Sequence, residues 1–384
     1  MSDEDPAKTI YLDYNATTPV APEVIEAMLP YFKEHFGNPS SDHVVGRRAR
    51  LAIEESREQV ASLIGANADE IVFTSGGTES NNLAILGHSL LAEPDRRRIM
   101  TSQVEHPATL VPCSHLENNG WLITRVPVLS TGEVDLDALN RTIASDVSLV
   151  TVLLAQNETG ALMPISAIAE AAKAVGASVH SDGAQAVAKI PISVDDLGVN
   201  FLSIAGHKLY GPKGIGALYI RRGSSLRPVI VGADQEHGYR PGTENVPGIV
   251  GLGEACRQAK SRLAADGERI SALRNELWSV LTNAIKGLVR HTPFDSSLPN
   301  TLYISFPHVR GIDLLSLTPN VAASTGSACH AGVSTPSATL LAIGVSSEVA
   351  LGAVRFSLGR YTSLSDVTTA AASVIAAFEK LTAQ

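Results

Sequence analysis

The sequence has 384 residues, 44% of them hydrophobic, enough to bury one large core and a second, smaller one. A net charge of −9 and a pI near 5.7 leave no electrostatic footprint for nucleic acid, and a polyanion partner is excluded on that ground. Three cysteines (Cys113, Cys256 and Cys329), odd in number and far apart, offer neither a disulfide framework nor a CxxC metal site, so no metal and a reducing cytoplasm are expected.

Taken in chain order, the acidic start Met1–Pro6 lacks the basic flank and apolar core of a signal peptide. No later apolar run reaches the roughly 18 residues of a membrane helix. Helical patterns over Val44–Leu63, Ser80–Leu91 and Ile165–Val175 alternate with apolar runs. Those runs predict strands over Glu70–Thr74, Arg98–Ser102, Leu149–Ala155, Ser178–Ser181, Phe201–Ile204 and Ile215–Ile220. Strands without polar alternation, separated by helices, imply an α/β fold with a mainly parallel sheet covered on both faces. Arg96-Arg97-Arg98 reads as a solvated surface loop. A long amphipathic helix over Glu254–Leu288 leads into a smaller α+β part, with strands at Asn300–Ser305 and Val354–Ser357 and a closing helix Ser365–Leu381.

Five polar motifs fall at strand ends, where α/β sheets place their sites. Phe73–Ser80 carries Gly76-Gly77-Thr78, a turn into a helix whose N–H groups suit a phosphate, with the Ser75 or Thr78 hydroxyl assisting. In Val104–Ala108, the His106 imidazole is placed to stack on a flat ring. In Gln156–Gly160, Asn157 is placed to hydrogen-bond a phenolic oxygen. His180–Gln185 carries Asp182, suited to a protonated pyridine nitrogen, which pyridoxal 5′-phosphate (PLP) needs to act as an electron sink. Ala205–Gly214 carries Lys208, suited to a Schiff base and 26 residues after Asp182, one strand–helix–strand step. Alone, each motif is more commonly an ordinary turn, a capping Asp or a surface lysine. Together they converge on one ring.

These motifs resemble those of the aminotransferase class V group of PLP enzymes, and within it the NifS/IscS-like cysteine desulfurases and the related selenocysteine lyases. The likeness also covers Tyr11–Pro19, Gly37–Ser41, Arg240–Asn245 and Arg355–Arg360. It implies the type I fold of PLP-dependent transferases, with a seven-stranded sheet in a large domain over residues 15–255. A small domain would comprise residues 1–14 and 256–384. It implies that Lys208 holds PLP and that His106 stacks on it. Asp182 would pair with the ring nitrogen, Asn157 and Gln185 would face the ring oxygen, and Gly77, Thr78 and His207 would bind phosphate. It further implies that Thr243 reaches the phosphate of a neighbouring subunit, hence a homodimer. Arg355, with its bidentate fork, is the choice for the substrate carboxylate, together with Asn15 and Asn157, and Arg360 is a second candidate. Such enzymes usually carry a phosphate-binding serine where this chain has Ala205, and Ser203 lies too early on its strand to replace it.

Ser324–Pro336 is rich in small residues, a composition expected of an exposed, mobile loop. A thiol beside a histidine is a plausible nucleophile, and the resemblance makes Cys329 the persulfide-forming residue. Cys113 and Cys256, in helical contexts, read as structural. The implied reaction converts L-cysteine to L-alanine and passes sulfur to an acceptor protein. Iron–sulfur assembly, tRNA thiolation and cofactor biosynthesis all stay open as its destination. Ala328-Cys329-His330 also resembles the selenocysteine lyases, which leaves selenocysteine as the alternative substrate. An aminotransferase or amino-acid lyase on the same fold, and a non-catalytic dimeric scaffold or sulfur-relay module, are the competing classes.

Overall fold

The apolar runs of the first two-thirds of the chain become the strands of a single seven-stranded sheet. The computed structural model describes residues 9–326 and 335–383. Within them the strands are β1 (Ile10–Tyr11), β2 (Ile71–Thr74), β3 (Arg98–Ser102), β4 (Leu122–Val126), β5 (Val147–Thr151), β6 (Ser178–Asp182), β7 (Phe201–Ala205), β8 (Gly216–Ile220), β9 (Val289–Arg290), β10 (Thr301–Ser305), β11 (Val321–Ala322) and β12 (Ala353–Ser357). The large sheet runs β2-β8-β7-β6-β5-β3-β4. From β4 to β7 all neighbours are parallel, and β8 lies antiparallel between β7 and β2.

Both faces are covered, as the lack of polar alternation requires. Phe73, Met100, Val150, Val179 and Leu202 enter one apolar cluster, whereas Val72, Ile99, Leu149, Phe201 and Leu218 enter another on the opposite face. The edge strand β4 was not anticipated, since half of Leu122–Val126 faces outward and the run looks like a loop. The strand expected to reach Ala155 stops at Thr151, because the Leu153 N–H bonds the Glu105 carboxylate instead of a strand neighbour. The helix expected from Ser80 starts at Gly77, made possible by Gly76 at φ 148°. The arginine run is not a solvated loop. Arg96 donates to the carbonyls of Val147, Val175 and Gly176, and Arg98 lies in β3, bonded to Thr124 and Asp146. Of the three, Arg97 alone is exposed.

The long helix spans Val246–Ala284, 39 residues. It begins ahead of Glu254 because the Asn245 side chain caps it, accepting the Gly248 N–H. Its first half (Ile249, Leu252, Cys256, Ala259) is part of the large core. Its second half (Ile270, Leu273, Leu277, Leu281) is part of the small core, with β10, β12 and the helix Leu364–Thr382. In the small part β12-β10-β9 form an antiparallel sheet, and β1 pairs in parallel with β11. The N-terminal strand thus joins the last third of the chain. Among the described residues no helix is long and apolar enough to cross a membrane.

Candidate active site

The C-terminal ends of the parallel strands surround a cavity of about 320 Å3 lined by Gly77, Thr78, His106, Asn157, Asp182, Gln185, Ala205, His207 and Lys208, among others. Five strand-end motifs that were separate in sequence therefore share one wall.

Lys208 follows β7 in a short helical turn, and its Nζ donates to the carbonyls of Asn15 (2.6 Å) and Ala16 (2.8 Å). Burial, then the Arg355 charge, bring its ammonium down to about 8, with Asp182 and Asp13 opposing. Asp182 ends β6. Its Oδ2 accepts from Asn81 Nδ2 (2.7 Å) and its Oδ1 from the Ala184 N–H (2.9 Å). Asn81 comes from the helix Gly77–Ser89, so the helix facing the phosphate position also orients the acid. Behind Asp182 the fully buried His180 bridges Thr151 and Ser203. Burial lowers its pKa to about 4, so it is neutral.

His106 caps the helix Pro107–Glu117, its Nδ1 accepting from the Ala108 N–H at 3.1 Å. That bond leaves Nε2 to carry the proton of the neutral ring. Burial and the Lys208 charge lower its pKa, against Asp182. His207 is held by Thr17 Oγ1 at 3.1 Å, and burial together with Lys208 and Lys213 lowers it to about 4. In the helix Gly77–Ser89 the first intrahelical bond is donated by Ser80, so the Gly77 and Thr78 N–H groups precede it. A Cβ on Gly77 would lie 3.4 Å from Ala205 Cβ, narrowing the cavity at this point. Ser75 turns away: its N–H bonds Glu79 and it lines a different hollow, so it does not assist a phosphate.

Four proposed substrate or cofactor contacts, Arg355, Asn15, Thr243 and Arg360, lie outside the lining. Arg355 is buried, with Nη1 on the Asn157 carbonyl (2.8 Å) and Nη2 on Asp13 (2.7 Å). Its Nε has no acceptor among the described residues. The Asn15 side chain is buried between Thr301, Asn300, Asn157 and Lys189. Thr243 is exposed. Arg360 is tied to Asp266 and Gln258 on the long helix and lies over the Tyr210 ring. Cys329 and His330 lie outside the described residues. Cys113 and Cys256 are buried in helices, which pushes both thiols up to about 12.

Sequence reasoning passed over Glu105, although it adjoins His106. It is buried, with no cation beside it among the described residues, held by Ser102 Oγ (2.6 Å) and the Leu153 N–H, and desolvation pushes it up to about 8. It also passed over Asn81 and Lys189, which follow the motifs Phe73–Ser80 and His180–Gln185 by one and four residues. Ser203, bonded to His180, is unavailable to replace the hydroxyl absent at Ala205. Ala205→Ser, on the cavity wall, is expected to tighten PLP binding about 2- to 10-fold, measured by titrating the apoprotein with cofactor.

The donor set fits PLP. One cavity brings together an amine with a depressed pKa, an oriented carboxylate, a neutral imidazole, two amides and free N–H groups at a helix start. The chain is 46% identical over 362 residues to the cysteine desulfurase IscS of Dictyoglomus turgidum, covering 94% of this chain and 92% of that protein. It is 43% identical to the cysteine desulfurase NifS of Azotobacter vinelandii, covering 93% and 90% respectively. A solved NifS-like protein superposes with a TM-score of 0.90 at 37% identity, covering 96% of this chain and 98% of that one. The Aminotransferase class-V model matches residues 10–369, from β1 into the closing helix, and the chain belongs to that family.

Proposed function

We propose that this chain is a PLP-dependent cysteine desulfurase, converting L-cysteine to L-alanine and carrying the sulfur as a persulfide on Cys329. The observation that supports it most is the Lys208 amine, depressed to about 8 and lining the same cavity as Asp182. When bound, PLP supplies an electron sink for charge developing at the substrate carbon.

The chain's own residues do the rest. Lys208 holds the cofactor and then moves a proton at the substrate's Cα, a task suited to an amine with a pKa near neutrality. Asp182, oriented by Asn81 and the Ala184 N–H, holds a proton at the ring nitrogen. His106 covers one ring face, and Asn157 and Gln185 donate to the ring oxygen. Gly77, Thr78 and His207 hold the phosphate, completed by Thr243 of a second copy in a homodimer. Its exposed position leaves Thr243 free for that contact. Arg355 takes the substrate carboxylate through guanidinium N–H groups left over from Asp13 and Asn157. The Cys329 thiolate attacks the substrate sulfur; an S–S bond forms as C–S breaks, and the released electron pair is protonated at carbon, giving alanine. A protein thiol acting as sulfur acceptor then regenerates Cys329.

The test compares alanine release from L-cysteine and L-selenocysteine by the parent and by Cys329→Ala. The expected result is turnover of L-cysteine by the parent and a loss of more than about a hundredfold in the variant, with the chromophore retained. Turnover of selenocysteine alone would show the desulfurase reading to be wrong. Consumption of an oxo-acid acceptor with full activity in Cys329→Ala would point to an aminotransferase.

A further inference from the structure

Lys189 is a second amine close to the cavity, and the desulfurase reaction makes no use of it. It lies in the turn after β6, and its Nζ lies 2.7 Å from Gln185 Oε1 and 2.9 Å from Asn15 Oδ1. Both amides are buried, Gln185 at 7% and Asn15 at 1% exposure. Their other ends are also committed. Gln185 Nε2 donates to the Asn15 carbonyl (2.9 Å), and Asn15 Nδ2 donates to Thr301 Oγ1 (2.9 Å) and the Asn157 carbonyl (3.2 Å). The Asn15 carbonyl in turn accepts the Lys208 Nζ.

This network decides which way round Gln185 sits. Reversing its amide would set NH2 against the Lys189 amine and a carbonyl against the Asn15 carbonyl, losing two buried hydrogen bonds and creating two like contacts. With Oε1 held, only the second Nε2 hydrogen of Gln185 remains for the cavity it lines. We propose that Lys189 is a positioning residue: by holding Gln185 Oε1, it makes Gln185 present an N–H donor, not a carbonyl, to the cofactor's ring oxygen. This rests on the protein being a PLP enzyme. Burial and the charges of Lys208 and Arg355 lower the Lys189 pKa well below its ordinary value. The pinning survives that shift, since an amine keeps two N–H donors in either protonation state.

Without Lys189 the Gln185 carbonyl is left buried and unpartnered, and the amide is free to turn it toward the ring oxygen. The experiment uses the loaded protein with the variants Lys189→Met, Lys189→Arg, Gln185→Ala and the Lys189→Met/Gln185→Ala double. Cofactor affinity and the bound chromophore's absorption spectrum are read at one fixed pH. Lys189→Met is expected to weaken PLP binding about tenfold and to shift absorbance from the band of the anionic ring oxygen to that of the neutral form. Lys189→Arg, which keeps N–H donors, is expected to retain the parent's band balance. The double variant is expected to be no worse than Gln185→Ala, because the two residues act as a unit. Parent-like affinity and spectrum in Lys189→Met would overturn the inference, as would a Lys189→Met loss that adds in full to that of Gln185→Ala. Met and Arg variants that behave alike would overturn it too. A parent that takes up no PLP would overturn the cofactor reading itself, a result the absent chromophore distinguishes at once.

Discussion

Lys208→Met loses more than about a thousandfold in turnover and yet leaves the apoprotein more stable than its parent near neutral pH. The loss follows because a thioether neither holds the cofactor nor moves a proton. The gain follows from the same burial that tunes the amine. Desolvation, and next the Arg355 charge, lower the Lys208 pKa from 10.5 to about 8, so the folded state holds this proton less tightly than the unfolded chain. Between about 8 and 10.5 the unfolded state binds more protons, and stability rises with pH through that window. Below it the ammonium is charged in both states and the full penalty stands, at most about 3 kcal/mol. The hydrogen bonds to Asn15 and Ala16 offset part of it, so the expected net gain of Lys208→Met near neutrality is about 1–2 kcal/mol. Urea unfolding of the cofactor-stripped proteins checks this: the advantage should be present near pH 7 and gone near pH 10. An advantage that does not change with pH would mean that charge burial is not its source.

Glu236→Ala should cost about 3–5 kcal/mol, because it strands a guanidinium in the core. Glu236 accepts from Arg57 Nη1 (2.8 Å), Arg57 Nη2 (2.9 Å) and the Phe73 N–H (2.7 Å), and both side chains are almost wholly buried. Removing the carboxylate leaves that guanidinium beside the Phe73 ring, with the Ile71 carbonyl and Glu54 as its remaining partners. It also releases a turn in which Glu236 (φ 48°) and His237 (φ 59°) are both left-handed, a strain the ion pair holds in place. The double variant Arg57→Met/Glu236→Leu should recover most of the loss, because no unpaired charge remains. Denaturant midpoints of the three proteins decide it. A double variant as unstable as the single would mean that packing, not charge, dominates at this pair. The Phe73 bond matters for the site as well, since β2 leads directly into the turn at Gly76-Gly77.

What the sequence disclosed and what it withheld divide along one physical line. Lys208, Asp182, His106, Asn157 and Gln185 were legible because strand ends are readable from apolar runs, and parallel sheets collect their polar groups there. The Lys208–Asp182 spacing translated directly into neighbouring strands β6 and β7. The edge strand β4 was illegible because its half-exposed residues give no continuous apolar signal. Glu105 and Lys189 were illegible for a different reason: their roles are set by partners such as Leu153 and Asn15, distant in sequence. Nothing in the motif containing Arg355 foretells that Asp13 shares its guanidinium. Local pattern reveals which groups face the cavity; it does not reveal what holds them from behind.

The Asn15 cluster bears on how the protein is made. Asn15 meets Asn300 and Thr301, which follow it by 285 and 286 positions, and β1 likewise waits for β11. At roughly 5–20 residues per second, a ribosome takes on the order of 15–60 s to supply those partners. The strands that carry Asp182 and Lys208 emerge well before then, without the segment that receives the Lys208 amine in its finished position. The Asn15 end of the site is therefore complete only once the last third of the chain has been made, and β1, far ahead of β11 in sequence, is among the last of these strands to be paired.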